Sequence, residues 1–302
     1  MSKSENNIYK NEIMIDGLPY QTRVYQQTFQ PIQAPRIVVV AYQPNQSAQE
    51  LLKICIQTIQ RYTPEPHELW IVDNHSPTAC SEWLLHLPYI NLILNDTEPI
   101  PPKKRTFWRK WKMFQKQQQW GSYANAIGLE LATHLVDPQT RYLLTMHMDT
   151  MVCRSGWLTY LQSKINEKVR ISGVHLEKGR VPEGVVHILG NFIDFQLLKQ
   201  LKINFLPQLP QLDVGDQVTI KIREAGYSIF SCRNTYNELD LISIIPPFSP
   251  FKYIRVFRAF DDDNQVFFLH LGRGVRKTTG EHHRGVQIAE WIEFANQYLL
   301  NL

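Results

Sequence analysis

No glycine-rich loop follows the first strong strand of this 302-residue chain. The turn reads Ala41-Tyr42-Gln43-Pro44-Asn45-Gln46-Ser47. A dinucleotide fold needs glycines there, for the tight turn and for close approach of a pyrophosphate, and a P-loop needs its own glycines and lysine. Both classes are excluded at this turn. Cysteine is equally sparse: Cys55, Cys80, Cys153 and Cys232 have no CxxC or Cys-His spacing, which argues against a zinc module or a disulfide scaffold. Reduced thiols in a cytoplasmic protein are the simplest account. Nowhere do 18 apolar residues run together, and Met1 to Asn7 lacks the apolar core of a signal peptide, so no membrane span is expected. Neither sign of charge dominates. With 32 Lys and Arg against 28 Asp and Glu the formal charge is +4, which gives no global argument for nucleic acid.

What is present is a core: 43% of the residues are hydrophobic, enough for one large domain or two small ones. Residues 1–35 are polar and Gln-rich, and read as an N-terminal extension with a short hairpin around Gly17. Arg36-Ile37-Val38-Val39-Val40-Ala41 is a β-branched run suited to the middle of a parallel sheet. Ser47-Ala48-Gln49-Glu50 has capping-box spacing, with Leu51, Leu52, Cys55, Ile56 and Ile59 on one helical face behind it. Leu69-Trp70-Ile71-Val72 then ends at Asp73-Asn74, completing a βαβ unit and predicting a parallel α/β sheet. Further strands are expected at 91–95, 171–174, 191–195 and 266–270. Helices are expected from Ser122, after Ser155-Gly156-Trp157, after Asp216 and over 287–300.

The chain is organised around Tyr142-Leu143-Leu144-Thr145-Met146-His147-Met148-Asp149-Thr150-Met151. This apolar run ends in two side chains that can bind metal. In an open α/β sheet, ligands sit outside the carboxyl ends of the strands, and alternation puts His147 and Asp149 on one face with Met148 on the other. One divalent cation could touch both, or Asp149 alone. With no glycine cradle for phosphates, an ion at this strand end is the alternative way to hold them.

Taken in order, these motifs resemble glycosyltransferase family 2, over roughly residues 36 to 271. Val38-Val39-Val40-Ala41-Tyr42 resembles the family's first strand, and Ile71-Val72-Asp73-Asn74-His75-Ser76 its Asp-Asn-x-Ser strand end. Tyr123-Ala124-Asn125-Ala126-Ile127-Gly128 resembles its Ala-Asn-x-x-Gly helix start. Met146-His147-Met148-Asp149-Thr150 is similar to its Asp-x-Asp metal motif. The resemblance implies a GT-A fold, a Rossmann-like, mostly parallel sheet flanked by helices. Its nucleotide-binding half would be 36–150 and its acceptor half 151–302. It implies that Ala41, Tyr42 and Asp73 contact the base and ribose of a nucleotide-diphospho-sugar. Asn125, Gly128 and His147 would line the nucleotide, and Asp149 and His270 would hold Mn2+ or Mg2+. Histidine in place of the motif's first aspartate favours Mn2+. Taken singly, Gly128 suits helix packing as well as it suits a ligand.

Family 2 enzymes are generally inverting, and inversion by single displacement needs a carboxylate to take the acceptor's proton. Arg223-Glu224-Ala225-Gly226-Tyr227 resembles the end of the helix that this base precedes. The usual Glu-Asp pair is replaced by Asp213-Val214-Gly215-Asp216, out of register with the family's spacing. Asp213 and Asp216 share the assignment, Asp213 ahead because it lies in the loop; both also suit plain helix capping. His187 is a second candidate to face the acceptor, with a structural histidine as the simpler account.

Residues 103–120 interleave Lys and Arg with Phe and Trp and contain no acidic residue. A solvated basic loop accounts for this, and next comes contact with a lipid-linked acceptor or an anionic membrane surface, which would place a cytoplasmic protein at the inner face of the membrane. No nucleic-acid partner is expected, since no binding motif accompanies the segment. Three functions compete. The leading one is a sugar transferase acting on a polysaccharide, glycan or lipid-linked hydroxyl; the others are a nucleotidyltransferase and a donor-binding protein of the same fold without turnover.

Overall fold

The computed structural model describes residues 7–101, 113–179 and 182–301. Two nine-residue strands, β1 (Asn7–Ile15) and β2 (Leu18–Gln26), form a hairpin about Asp16 and Gly17, both at positive φ. The core begins with β3 (Arg36–Ala41), α1 (Gln46–Tyr62), β4 (Glu68–Asn74), a short α2 (Thr78–Ser81), β5 (Asn91–Asn95), α3 (Met113–Leu135) and β6 (Tyr142–His147). Next come β7 (Thr150–Val152), α4 (Trp157–Ser163), β8 (Val169–Gly173), β9 (Leu176–Glu177), β10 (Val185–Val186), β11 (Gly190–Asp194), α5 (Phe195–Gln200) and α6 (Asp216–Glu224). The chain closes with β12 (Ser228–Ser231), β13 (Arg233–Asn234), α7 (Leu241–Ile244), β14 (Phe257–Phe260), β15 (Val266–His270), α8 (Gly274–Thr278) and α9 (Ile288–Phe294), which runs on as a π-helical turn over Ala295–Leu300.

The large sheet has the order β1-β2-β5-β4-β3-β6-β11-β8-β12. Its centre, β5-β4-β3-β6, is parallel, as the βαβ pattern predicts, while β11 runs antiparallel between β6 and β8. Alternation along β3 sorts the two layers. Ile37, Val39 and Ala41 pack with Leu51, Leu52 and Cys55 of α1, and Val38 packs with Ala126, Leu129 and Ala132 of α3. A second sheet, β13-β14-β15-β7, leans on the α1 side, where α9 buries Trp291 completely. No helix of the described residues is long and apolar enough to cross a membrane.

Three local expectations differ. Residues before 35 are more than an extension with a short hairpin: β2 pairs antiparallel with β5 and widens the sheet. The cap of α1 is Asn45, whose side chain accepts from the Ala48 N–H at 3.0 Å, so the helix starts ahead of Ser47. Ser122 lies inside α3, because the Gln- and Lys-rich stretch from Met113 propagates a helix readily. Residues 103–112 of the basic segment lie outside the described residues, so the membrane and lipid-linked contacts expected of it do too.

Candidate functional site

Because β3, β4 and β6 are parallel and in register (Ala41 beside Asp73, Val40 beside His147), their carboxyl ends share one edge. At that edge β6 stops at His147, and the chain turns through Met148 and Asp149 into β7 of the second sheet. Asp149 therefore stands at the junction of the two sheets. The Thr150 hydroxyl closes the turn by donating to the His147 carbonyl at 2.7 Å. Met148 points away into the core, where its sulfur accepts from the Tyr42 N–H at 3.4 Å.

The second sheet brings in the distant histidine. Register pairs His270 of β15 with Thr150 of β7, and the Leu271 N–H donates to the Asp149 carbonyl at 3.0 Å. His270 Nε2 ends 3.3 Å from Asp149 Oδ1, and His147 Nδ1 ends 4.0 Å from the same oxygen. The ligand atoms of all three residues lie within 4.8 Å of one another. The other carboxylate oxygen, Oδ2, accepts from the Gly274 N–H at 2.8 Å.

The electrostatics suit a cation. Burial pushes the His147 pKa down to about 4, helped by the neighbouring His270 and opposed by Asp149 and Asp213, so its imidazole is neutral near pH 7 with a lone pair to offer. Burial alone would raise Asp149, but His270, His147 and the Gly274 N–H outweigh it and hold the carboxyl well below the usual range. His270 Nε2 is buried and faces Asp149 Oδ1 at 3.3 Å, a contact that lowers the carboxyl's pKa but is too long for a strong charge-assisted bond. A buried nitrogen and a carboxylate oxygen 3.3 Å apart, with His147 Nδ1 4.0 Å from the same oxygen, are spaced so that one ion could be shared among them. One carboxylate and two imidazoles form a set suited to Mn2+ or another borderline ion.

The remaining sequence candidates fall into two groups. Asn125 joins the site, its Nδ2 3.4 Å from His147 Nε2. Asp73 is buried at the end of β4, accepting from Gln43 Nε2 at 3.1 Å and from the Ser76 N–H at 3.3 Å. Burial raises its pKa against these bonds. It lines a cavity of about 330 Å³ with Arg23, His75, Ser76, Asn95 and Asp96. Tyr42 is exposed at the rim and Ala41 is fully buried beside Asp73. Gly128 faces Val40: a Cβ there would lie 2.5 Å from Val40 Cγ1, so the residue serves the packing of α3 on β3.

The two aspartates separate. Asp216 is the first residue of α6 and buried, and its Oδ2 accepts from the Asp213 N–H at 2.7 Å, which holds the loop onto the helix. Asp213 is only partly buried and close enough to His147 to influence its titration.

Sequence reasoning missed three participants. Gly274 is one, since only tertiary pairing places it on Asp149. His175 and Phe257 are the others: with His147, His187 and His270 they close a circuit of rings. Centroids lie 5.2 Å apart for His147–His187, 5.7 Å for His187–His175 and 5.0 Å for His175–Phe257. Phe257–His270 at 6.3 Å and His270–His147 at 5.5 Å complete it. His187 thus reaches the site through packing. Its Nδ1 accepts from the Leu189 N–H at 3.1 Å, and its Nε2 lies 3.8 Å from Glu177 Oε1.

No protein-family model matches the sequence, and no curated protein does. Among solved structures, the fold is similar to the galactosyltransferase LgtC in complex with donor and acceptor sugar analogs, at 13% identity over 87% of this chain and 96% of that one, with a TM-score of 0.46. It is similar to a Drosophila β1,4-galactosyltransferase 7 complexed with manganese, UDP-Gal and xylobiose, at 10% identity over 86% of this chain and 79% of that one, TM-score 0.38. A third is 4-diphosphocytidyl-2C-methyl-D-erythritol synthase from Anaerococcus prevotii, at 9% identity over 67% and 89%, TM-score 0.41.

Proposed function

We propose that the chain is a metal-dependent, inverting glycosyltransferase that moves a hexose from a nucleotide-diphospho-sugar to a hydroxyl of a carbohydrate or lipid-linked acceptor. The observation that carries this reading is the convergence of His147, Asp149 and His270 at the shared carboxyl edge of the parallel strands. Asp73 and Tyr42 stand along that edge where a base and ribose would lie, and Asn125 stands 3.4 Å from His147 of the trio. Residues 36–150 serve the donor and 151–302 the acceptor.

Mn2+ or Mg2+ held by His147, Asp149 and His270 would offset the charge of the diphosphate. Asp213 takes the proton of the acceptor hydroxyl as that oxygen forms its bond to the anomeric carbon. The bond from that carbon to the diphosphate oxygen breaks, and the electron pair leaves with the nucleoside diphosphate. The partial exposure of Asp213 and its proximity to His147 favour it over Asp216, which is buried at 3% exposure.

Calorimetric titration with UDP, GDP and dTDP, each with Mn2+ and each with EDTA, tests the reading. One nucleotide should bind with Mn2+ and lose that binding with EDTA. Absence of binding to all three under both conditions would remove the proposal.

A further inference from the structure

Histidine stands at position 147 where the Asp-x-Asp motif has its first aspartate, and the exchange brings a requirement that a carboxylate does not have. Either oxygen of a carboxylate can meet an ion. A neutral imidazole has one lone pair, and the nitrogen that carries it is set by the hydrogen bond made at the other nitrogen. His147 has a neighbour at each: Nδ1 lies 4.0 Å from Asp149 Oδ1, and Nε2 lies 3.4 Å from Asn125 Nδ2. The residue at Nε2 therefore decides whether Nδ1 can serve the trio.

Asn125 is held in that place from both sides along α3. One residue before it, the Ala124 carbonyl accepts from Asn74 Nδ2 at 2.6 Å, and Asn74 Oδ1 accepts from Asn95 Nδ2 at 2.8 Å, so two buried amides tie β5 and β4 to the helix. Three residues after it, Gly128 rests on Val40, whose register partner on β6 is His147 itself. The Asn125 backbone is thus fixed while its amide has no other hydrogen-bond partner among the described residues. The last torsion of an asparagine is broad and roughly two-fold, so Nδ2 and Oδ1 can exchange places at one spot. The two positions select opposite tautomers. With Nδ2 toward the ring, the amide donates to an Nε2 lone pair, and the imidazole proton sits on Nδ1, which blocks that nitrogen as a ligand. With Oδ1 toward the ring, Nε2–H donates to the amide, and Nδ1 offers its lone pair to an ion beside Asp149.

We infer that Asn125 is a positioning residue for the metal centre, whose amide donates to His147 Nε2 in the metal-free protein and turns to accept from Nε2–H when Nδ1 takes the ion. The ring neither gains nor loses a proton in the exchange: one proton leaves Nδ1 for water and another is taken up at Nε2. This rests on the metal-dependent reading and departs from it in one respect, since Asn125 serves the ligand His147 rather than lining the nucleotide. Partners of this kind behind a ligating histidine fix its tautomer and ring orientation.

Asn125→Ala and Asn125→Asp, made in the full chain, test it by calorimetry with Mn2+ alone. Alanine leaves Nε2 without a partner and should weaken Mn2+ about tenfold, the usual effect of losing a hydrogen bond behind a metal ligand. Aspartate offers only acceptor oxygens, keeps the proton on Nε2, and should bind Mn2+ at least as tightly as the parent. A carboxylate also adds charge near the ion, so nitrogen NMR supplies a reading that charge does not mimic. At a pH where the ring is neutral, the metal-free parent should carry the His147 proton on Nδ1, and metal-free Asn125→Asp should carry it on Nε2. The parent saturated with Zn2+, a diamagnetic stand-in, should move to Nε2 as well, and His147→Gln identifies the signals by their loss. Mn2+ affinity of Asn125→Ala within twofold of the parent, or a parent ring protonated on Nε2 both before and after metal, overturns the inference and leaves the metal-dependent reading standing. A parent protein that binds no Mn2+ overturns both.

Discussion

Gly274 and Asp149 are 125 residues apart in sequence and share a 2.8 Å hydrogen bond from the glycine N–H to Oδ2. The contact leaves no room for a side chain: a Cβ on Gly274 would lie 2.5 Å from Asp149 Cβ and 2.9 Å from Oδ2. The bond takes one carboxylate oxygen and turns the other, Oδ1, toward His147 and His270. A glycine outside the trio therefore sets the orientation of its only anionic member.

Gly274→Ala follows directly from this geometry. The backbone of Gly274 is not in the left-handed region, so alanine brings a steric effect without backbone strain. The methyl group must displace the carboxylate or the loop, at a cost of about 1–3 kcal/mol for overpacking. Mn2+ affinity, read by calorimetry, should fall about tenfold or more for a displaced ligand. Parental affinity in the alanine variant would show that the Gly274 contact does not orient Asp149.

The two aspartates of the Asp213-Val214-Gly215-Asp216 turn should part company on substitution. Asp216→Ala removes a buried acceptor from the Asp213 N–H and should lower stability by about 1–3 kcal/mol. Asp213→Asn keeps an oxygen for the Val214 N–H that Asp213 Oδ1 accepts at 2.7 Å, so its melting temperature should stay close to the parent while sugar transfer falls by about a hundredfold or more. Thermal melting beside a transfer assay separates them; an Asp213→Asn variant that transfers at the parental rate removes Asp213 as the base.

Titration of His147 gives the metal-free protein a characteristic pH dependence. An unfolded histidine titrates near pH 6.5, whereas burial lowers His147 to about 4 in the fold. Between these values the unfolded chain binds a proton that the folded chain refuses, so stability is full above about pH 6.5 and declines as the pH falls toward 4. The loss from this one group is about 3 kcal/mol at the lower end, 1.36 kcal/mol for each pH unit of the window. In EDTA, the parent's melting temperature should fall between pH 7.5 and 5 more steeply than that of His147→Gln. Equal slopes would mean that the imidazole is not held neutral by its burial.

How far the sequence reaches is visible in these same residues. The parallel α/β core was legible because β3 and β4 are uninterrupted apolar runs and α1 carries one apolar face, both period effects that a single strand or helix displays by itself. Asp149 and His270 stood out because each ends an apolar run in a metal-competent side chain. Their meeting was not legible, since it depends on β7 leaving the large sheet and pairing with β15 some 120 residues later. Asn45 rather than Ser47 caps α1 for a local reason: both residue types are good helix caps, and only the observed bond to Ala48 chooses between them. The β1–β2 hairpin was underestimated because an edge pair exposed on one face has a mixed burial pattern, and its apolar runs are short.

Gly128 and Val40 give the last prediction. The Ala-Asn-x-x-Gly segment invites a ligand-binding role for its glycine, yet a Cβ on Gly128 would meet Val40 Cγ1 at 2.5 Å, Cγ2 at 2.9 Å and Cβ at 3.3 Å. Val40 lies on the central strand β3 and has little freedom to retreat, because its χ1 is restricted by branching at Cβ. Gly128→Ala should therefore push α3 off the sheet and cost about 1–3 kcal/mol. Val40→Ala removes both Cγ atoms that the new methyl would strike, so the double variant Gly128→Ala/Val40→Ala should be more stable than the sum of the two single changes allows. A coupling of roughly 1 kcal/mol or more in a thermal-melting double-mutant cycle is the expected result for residues in contact. Since α3 also carries Asn125 to within 3.4 Å of His147, Gly128→Ala alone should weaken nucleotide binding indirectly, and Val40→Ala should restore it together with stability. A direct ligand role for Gly128 makes the opposite forecast: stability would return in the double variant while nucleotide binding stayed weak, because the added methyl would still occupy the ligand's place.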